Sequence, residues 1–538
     1  MSDDRRAAHV PGARNRSMRV VIGTLVVASL SFALTPIAAR AAVERVDTAS
    51  GPVRGQRLAD VTVFRGLPYA AAPVGALPWQ EPQAVTPWTG ERAALEAGAA
   101  CPQKRGLSLE GGGDPGRLDE DCLFVDVFTP AADPQAKRPV MVWLHGGALI
   151  FGSGGLAIYD GSAFARRGGV VVTVNYRLGP LGFFAHPSLE RTRPGGPVNF
   201  GLLDQIAALR WVRQNIAAFG GDPGNVTVFG QSAGAESVLA LMASPLASGL
   251  FTRAIAQSPY GVPSATRTKA VGVGSAVASA LGLPGARATL EALRSIPAER
   301  YAALEGKGLS LAPTFVVGDA AVPVPLLQAF RRGREAPLPL MIGSNGDDAS
   351  VALAFGIRPA ALVAQLGRGK GLVARLYPGI DDDAELGRQV ARDAVFTAFV
   401  RRIAFLHASR APTFRYYFDH ASAPGAGHGA EVPFVFGTTD ACRCLAAAPT
   451  ATDHAVERRT GDRWVSFATT GVPAGDVPWP ADDRGRGTVL EIADVDNVRP
   501  GFMAARVDAL ITTLNIAGAL APAAKPASTR ASPARPTP

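Results

Sequence analysis

"NVTVFGQSAGAES", Asn225–Ser237, joins an apolar run to a cluster of small residues, and its reading decides the fold. "NVTVF" suits a buried strand. Gly230, Gln231, Ser232, Ala233 and Gly234 then fit G-x-S-x-G, in which the two glycines let a strand turn abruptly into a helix and expose the serine oxygen. The plain alternative is a small-residue turn without chemistry, because glycine and serine are common and the chain holds 60 glycines. The surroundings decide between the two.

Five more apolar runs bounded by turn residues read as buried parallel strands: "PVMVWLH" (139–145), "GVVVTVNY" (169–176), "RAIAQS" (253–258), "PLMIGS" (339–344) and "FRYYFDH" (414–420). Amphipathic stretches lie between them. In "LLDQIAALRWVRQNIAAF" (202–219), Leu202, Ile206, Leu209, Val212, Ile216 and Phe219 recur every three or four residues, which predicts a helix with one apolar face. Strands alternating with helices predict an α/β fold, a mostly parallel central sheet flanked by helices on both faces, with chemistry in the loops at the strands' C-terminal ends. Ser232 sits at such an end.

A serine nucleophile needs a base, a group to orient the base, and donors for the oxyanion. "HGGAL" (145–149) follows the strand "PVMVWL", and its glycines free backbone N–H groups to turn inward, as in HGGG-type elements. The base and acid should follow the serine in the order serine, acid, histidine. Of the seven histidines, His407, His420, His428 and His454 come after Ser232. His407 falls in the helix-like "AVFTAFVRRIAFLHASR", which suits packing or surface, and His454 lies among charged residues, which suits a solvated position. His420 and His428 both follow the strand "FRYYF"; glycines flank His428 in "GAGHGAEVPF", whereas His420 ends the strand itself. For the acid, "PLMIGS" runs into "NGDDAS", which offers Asp347 and Asp348, one of them at least an ordinary exposed turn residue.

Composition bounds the remaining readings. With 538 residues, 47% of them hydrophobic, the chain can bury a large core. The formal charge of +9 is concentrated at the ends: residues 1–41 hold six arginines against two aspartates, and residues 521–538 hold Lys525, Arg530 and Arg535, leaving about +2 for the body. No basic stripe with interleaved aromatics appears, so a nucleic-acid partner is not expected. At the N-terminus, Arg14, Arg16 and Arg19 precede "VVIGTLVVASLSFALTPIAA", and Ala39, Arg40 and Ala41 supply an A-x-A pattern, so residues 1–41 read as a signal peptide and the protein as exported. A membrane anchor is the rival, since Val20–Ala39 spans about the 20 residues a bilayer needs, but Pro36 and the small-residue exit favour cleavage. No stable membrane insertion is expected after it. From residue 42 to 515 the composition is even, as for one large domain, and 516–538 read as a disordered Ala/Pro-rich tail. The four cysteines suit an exported chain. Cys101 and Cys122 bracket a 20-residue segment, whereas Cys442 and Cys444 form a C-x-C pair for which reduced thiols and a strained bridge are both open and which is weak evidence for zinc.

Taken together, these residues resemble the type B carboxylesterases of the α/β-hydrolase fold, a family that includes cholinesterases and bacterial p-nitrobenzyl esterases. "FGGDPGNVTVFGQSAG" (219–234) resembles the family's active-serine signature and "EDCLFVDV" (120–127) its second signature. "FRGLPYAAAPVG", "VNYRLGPLGFF", "NFGLLDQIAALRWV" and "HGAEVPFVFG" resemble further family segments, so the likeness covers nearly the whole body. It implies Ser232 as nucleophile, His428 as base, an oxyanion hole of the Gly147, Ala148 and Ala233 N–H groups with Gly146 allowing their approach, and a Cys101–Cys122 disulfide. The family's acid is usually a glutamate in a pattern like G-x-N-x-D-E-G, and "GSNGDDAS" sets Asp348 there, one methylene shorter. Asp348 is favoured over Asp347, and Glu431, close to His428 in the chain, suits a structural partner.

The resemblance implies hydrolysis of small-molecule carboxylic esters through an acyl-enzyme, with no metal or cofactor. An amidase, carbamate or lactone hydrolase with the same triad, and a non-catalytic binding protein of the fold, are the alternatives. Cholinesterases carry an acidic residue before the nucleophile and a tryptophan in the first disulfide loop; here Gln231 stands at the first position and the loop 102–121 has no aromatic, so a choline ester is not expected. The loop's "EGGGDPG" (110–116) is expected to form a mobile rim at the pocket mouth. Oligomeric state is left open.

Overall fold

The strand carrying the quoted stretch lies in the middle of one large mixed sheet. A computed structural model describes residues 43–106, 113–304, 314–354, 358–420, 426–442, 447–484 and 487–520, all within one compact unit. The signal-peptide reading of residues 1–41, Cys444, Glu110–Gly112 of the expected rim and residues 521–538 of the expected tail lie outside the described residues.

Twelve strands succeed one another across the sheet: β1 (Val43–Thr48), β2 (Gly51–Leu58), β3 (Val61–Pro68), β4 (Phe124–Thr129), β5 (Arg138–Leu144), β6 (Val170–Val174), β7 (Gly221–Gln231), β8 (Arg253–Gln257), β9 (Leu340–Asn345), β10 (Thr413–Phe418), β11 (Val489–Ile492) and β12 (Asn497–Arg499). Their spatial order is β1-β2-β3-β4-β6-β5-β7-β8-β9-β10-β11-β12, with the two-residue strand Arg92–Ala93 beside β2. The six runs read from sequence, β5 to β10, are all parallel to their neighbours within this group. The parallel expectation holds there, whereas β1 to β4 pair antiparallel, as β4 does with β6.

Alternation along the central strands divides the core into two layers. Val140, Val142 and Leu144 of β5 and Val226 and Val228 of β7 face one apolar cluster, covered by the helices Phe200–Asn215 and Ala233–Ala243. Met141, Trp143 and Phe229 face the other, covered by Val432–Phe436 and Ala451–Thr470. The helix expected over 202–219 begins at Phe200 and ends at Asn215, and Ile216–Phe219 tighten into a 3₁₀ turn. Among the described residues no helix is long and apolar enough to cross a membrane.

The connections place the crevice. From β5 the chain steps to β6 on one side; from β7 it steps to β8 on the other, so β5 and β7 are adjacent strands whose exits diverge. Such a switch point opens a cleft beyond the strands' C-terminal ends. "HGGAL" leaves β5 at this place, and Ser232 leaves β7.

Candidate active site

Ser232 stands between the end of β7 and the first residue of the helix Ala233–Ala243, with φ 56° and ψ −121°. A non-glycine residue held there costs about 1–3 kcal/mol and is tolerated where the surroundings over-determine it. Ser232 N–H donates to Gln257 O at 2.8 Å, and Ser232 O accepts from Glu236 N at 2.9 Å. The flanking glycines are needed for space: a Cβ on Gly234 would come within 2.0 Å of Leu144 O, and one on Gly230 within 2.7 Å of the Gly234 carbonyl group.

The turn after β5 is held as tightly. Gly147, Ala148 and Leu149 all have positive φ (101°, 52° and 62°), and Gly147 O accepts from Ile150 N at 2.9 Å and Phe151 N at 3.1 Å. Beside Gly146, His145 Nδ1–H donates to Gly146 O at 2.8 Å, and its ring stacks on Tyr176 with centroids 4.3 Å apart. Burial pushes the His145 imidazole down to about 4, so it is neutral and serves as a fixed prop. Among the described residues no acceptor takes the N–H of Gly147 or Ala148. The N–H of Ala233, first of its helix, has no intrahelical partner.

His428 and Asp348 meet across the neighbouring loops. His428 Nδ1 lies 2.8 Å from Asp348 Oδ1, and Asp348 Oδ2 accepts the Asn345 N–H at 2.7 Å. Asp348 is fully buried. Three bonds stitch the two loops and explain how the shorter acid reaches the ring: Asp347 N to Ala426 O at 2.7 Å, Asn345 Nδ2 to Gly427 O at 2.8 Å, and His428 N to Ser350 Oγ at 2.9 Å. Asp347 pairs with Arg388 instead, at 2.7 Å. Glu431 is buried and accepts from Gln257 Nε2 at 3.0 Å and Asn345 Nδ2 at 2.5 Å. Burial pushes its carboxyl up to about 7, with those two bonds opposing and the Asp348 charge reinforcing the shift.

The other histidines are engaged elsewhere. The His420 ring lies between Asp494 Oδ1 at its Nδ1 and Asp453 Oδ1 at its Nε2, both at 2.7 Å. His407 is buried against Glu335 and donates from Nε2 to Leu338 O at 2.8 Å. His454 is partly exposed, 3.6 Å from Asp440.

Some contacts of the base were not read from the sequence. Gln231 Nε2 lies 3.2 Å from His428 Nε2, and the Phe396 ring packs 5.1 Å from the imidazole, from a π-helical turn at Asp393–Thr397. Phe396 lies in a stretch that reads only as a helix, so nothing marked it. Asn345 did carry a signal, as the asparagine of "GSNGDDAS".

Cys101 and Cys122 form a disulfide with Cα atoms 4.9 Å apart, and Cys442 is not a free thiol.

The sequence model of the carboxylesterase family matches residues 42–368 and 383–509. The chain belongs to that family. It is an enzyme, a serine carboxylic ester hydrolase with the α/β-hydrolase fold. It is similar to the para-nitrobenzyl esterase of Bacillus subtilis (strain 168), 37% identical over 462 residues that cover 81% of this chain and 92% of the relative. The fumonisin B1 esterase of Sphingopyxis macrogoltabida is 35% identical over 472 residues, covering 82% of this chain and 85% of the relative. Among solved structures, a PNB esterase superposes with a TM-score of 0.76 at 33% identity, covering 87% of this carboxylesterase and 99% of that chain.

Proposed function

We propose that this carboxylesterase cleaves small-molecule esters through a Ser232–His428–Asp348 triad and an acyl-enzyme. The observation that carries the reading is the 2.8 Å contact of His428 Nδ1 with buried Asp348, beside a serine held at positive φ at the switch point. Asp348 fixes the proton on Nδ1, leaving Nε2 to take the Ser232 proton as Oγ attacks the acyl carbon. The oxyanion rests on the N–H groups of Gly147, Ala148 and Ala233, with Gly146 giving room, each donor worth about 3 kcal/mol in the barrier. Nε2–H then protonates the leaving alcohol, and water repeats the cycle on the acyl-enzyme. Activity rises with pH as His428 loses its proton and stays level above that.

Residues 1–41 are proposed as a cleaved export signal, which the Cys101–Cys122 bridge supports, since such bridges persist in oxidising compartments. Residues 42–515 are proposed as the catalytic domain and 516–538 as a tail, although residues 516–520 continue the helix Ala504–Leu520, so that the part read as disordered starts no earlier than residue 521. The N-terminal residue of the protein recovered from the producing cells tests the cleavage.

Turnover of matched 4-nitrophenyl ester and 4-nitroanilide substrates, beside Ser232→Ala, tests the reaction. Faster cleavage of the anilide overturns the ester preference, and an undiminished Ser232→Ala overturns the nucleophile.

A further inference from the structure

Gln231, the residue before Ser232, is fully buried at the end of β7. Its Nε2 lies 3.2 Å from His428 Nε2, the ring nitrogen away from Asp348, while its Oε1 is buried with no partner among the described residues. A buried amide oxygen without a partner costs about 1–3 kcal/mol. Nothing in the packing of β7 requires an amide there: a leucine fills much the same volume without that cost.

The proton inventory supplies the reason. His428 Nδ1 faces a carboxylate and carries the proton, so Nε2 of the neutral ring presents a lone pair. The Gln231 amide donates to that lone pair. We propose that Gln231 is a fourth catalytic residue, a neutral hydrogen-bond partner of His428 Nε2 that keeps the base unprotonated at lower pH than a bare or acid-flanked histidine would be. The inference rests on the Ser232–His428–Asp348 reading. A hydrogen bond to the neutral form of a base disfavours its charged form, whereas a carboxylate at the same place would favour it.

When Nε2 receives the Ser232 proton, N–H faces N–H, and the imidazolium is disfavoured. The proton then passes from Nε2 to the leaving alcohol's oxygen as the acyl carbon–oxygen bond breaks. Gln231 itself gains and loses no proton.

Other ionisable groups surround the ring. Asp348 binds it from the loop after β9, Glu431 in the loop after β10 is bound to Asn345, and Tyr416 of β10 is close enough to feel both their charges. Asp393, on the turn that carries Phe396, is neutralised by Arg392 and Arg506. Glu236, on the helix after Ser232, is bound by the Tyr260 N–H.

The test is the pH profile of kcat/KM for 4-nitrophenyl butyrate in the wild-type protein, Gln231→Leu and Gln231→Glu. Active sites are counted by titration with an organophosphate, so that unfolded chains do not enter. The acid limb should move to higher pH in the order wild type, Gln231→Leu, Gln231→Glu, by about one pH unit or more in the last. Well below the midpoint, Gln231→Glu should then be about tenfold less active than wild type. Glu431→Gln in each background removes the nearby carboxyl that titrates near neutrality, and the order should persist. Superimposable limbs, or a lower limb in either variant, overturn the inference while leaving the triad standing; a Ser232→Ala variant as active as wild type would instead remove the reading beneath it.

Discussion

Replacing Asp348 by asparagine exchanges one oxygen for an amino group, and the surrounding donors dictate which way the new amide must lie. Oδ2 of Asp348 accepts from the Asn345 backbone N–H at 2.7 Å, and that donor cannot turn. The amide oxygen must stay on it, so the NH₂ group faces His428 Nδ1 in place of the oxygen that lies 2.8 Å away. Nδ1 must then be an acceptor, and the ring's proton moves to Nε2, where a lone pair is needed to take the Ser232 proton. The geometry is preserved and the tautomer is wrong. The comparable change in a serine protease triad lowers kcat about 10⁴-fold, which is about 5.5 kcal/mol in the barrier. Steady-state kinetics of 4-nitrophenyl butyrate hydrolysis, with circular dichroism and the melting temperature as folding controls, measure it. Asp347→Asn is the matched comparison: Asp347 pairs with Arg388, and losing that half-exposed pair should cost less than tenfold in activity. A folded Asp348→Asn within tenfold of wild type, or an Asp347→Asn that is the weaker of the two, refutes the reasoning.

Glu236 is buried and its carboxyl is pushed up to about 8 by burial, against the opposing Tyr260 N–H bond. The folded chain therefore holds a proton that the unfolded chain releases near its ordinary value, so stability falls as pH rises from about 4.5 to about 8 and the loss is complete above that. Glu236→Gln should flatten this slope in urea titrations and stabilise the protein at pH 9 by up to about 5 kcal/mol, with little effect near pH 4.5; equal slopes would count against it. Opening the Cys101–Cys122 bridge, which closes a separation of 21 residues, should cost about 3 kcal/mol, read as a lower urea midpoint for the Cys101→Ser/Cys122→Ser variant; an unchanged midpoint contradicts this. Gly234→Ala would place a methyl group 2.0 Å from Leu144 O and should abolish detectable turnover in whatever protein folds; wild-type kinetics in that variant would mean the elbow is not as described.

The parts of the molecule that could be read in advance are those whose signal is local. The six parallel strands are short apolar runs with turn residues at both ends, and the elbow and the glycine turn at 145–149 are written in consecutive residues. Strands β1 to β4, β11 and β12 were not read: in β2, Val53 and Gly55 face inward among partly exposed neighbours, and β11 and β12 are only four and three residues long. Choosing between His420 and His428 depended on partners remote in the chain. His420 is held by Asp453 and Asp494, 33 and 74 residues away, whereas His428 meets Asp348 at a separation of 80. No local pattern distinguishes those pairings. The same is true of Asp204, which lies buried on the apolar side of a helix because Arg177 binds both its oxygens, at 2.8 and 2.7 Å. Aspartate in place of the family's glutamate is one methylene shorter, and its reach to the ring became intelligible only with the bonds that draw the loops after β9 and β10 together.

The central claim is that Ser232 forms the acyl-enzyme, and rapid mixing with 4-nitrophenyl butyrate followed by acid quench and peptide mass analysis tests it most directly. The account predicts a burst of one 4-nitrophenolate per chain, a butyryl group on the peptide containing Ser232, and neither in Ser232→Ala. A butyryl group on another residue, or a Ser232→Ala protein that still gives the burst, would contradict it.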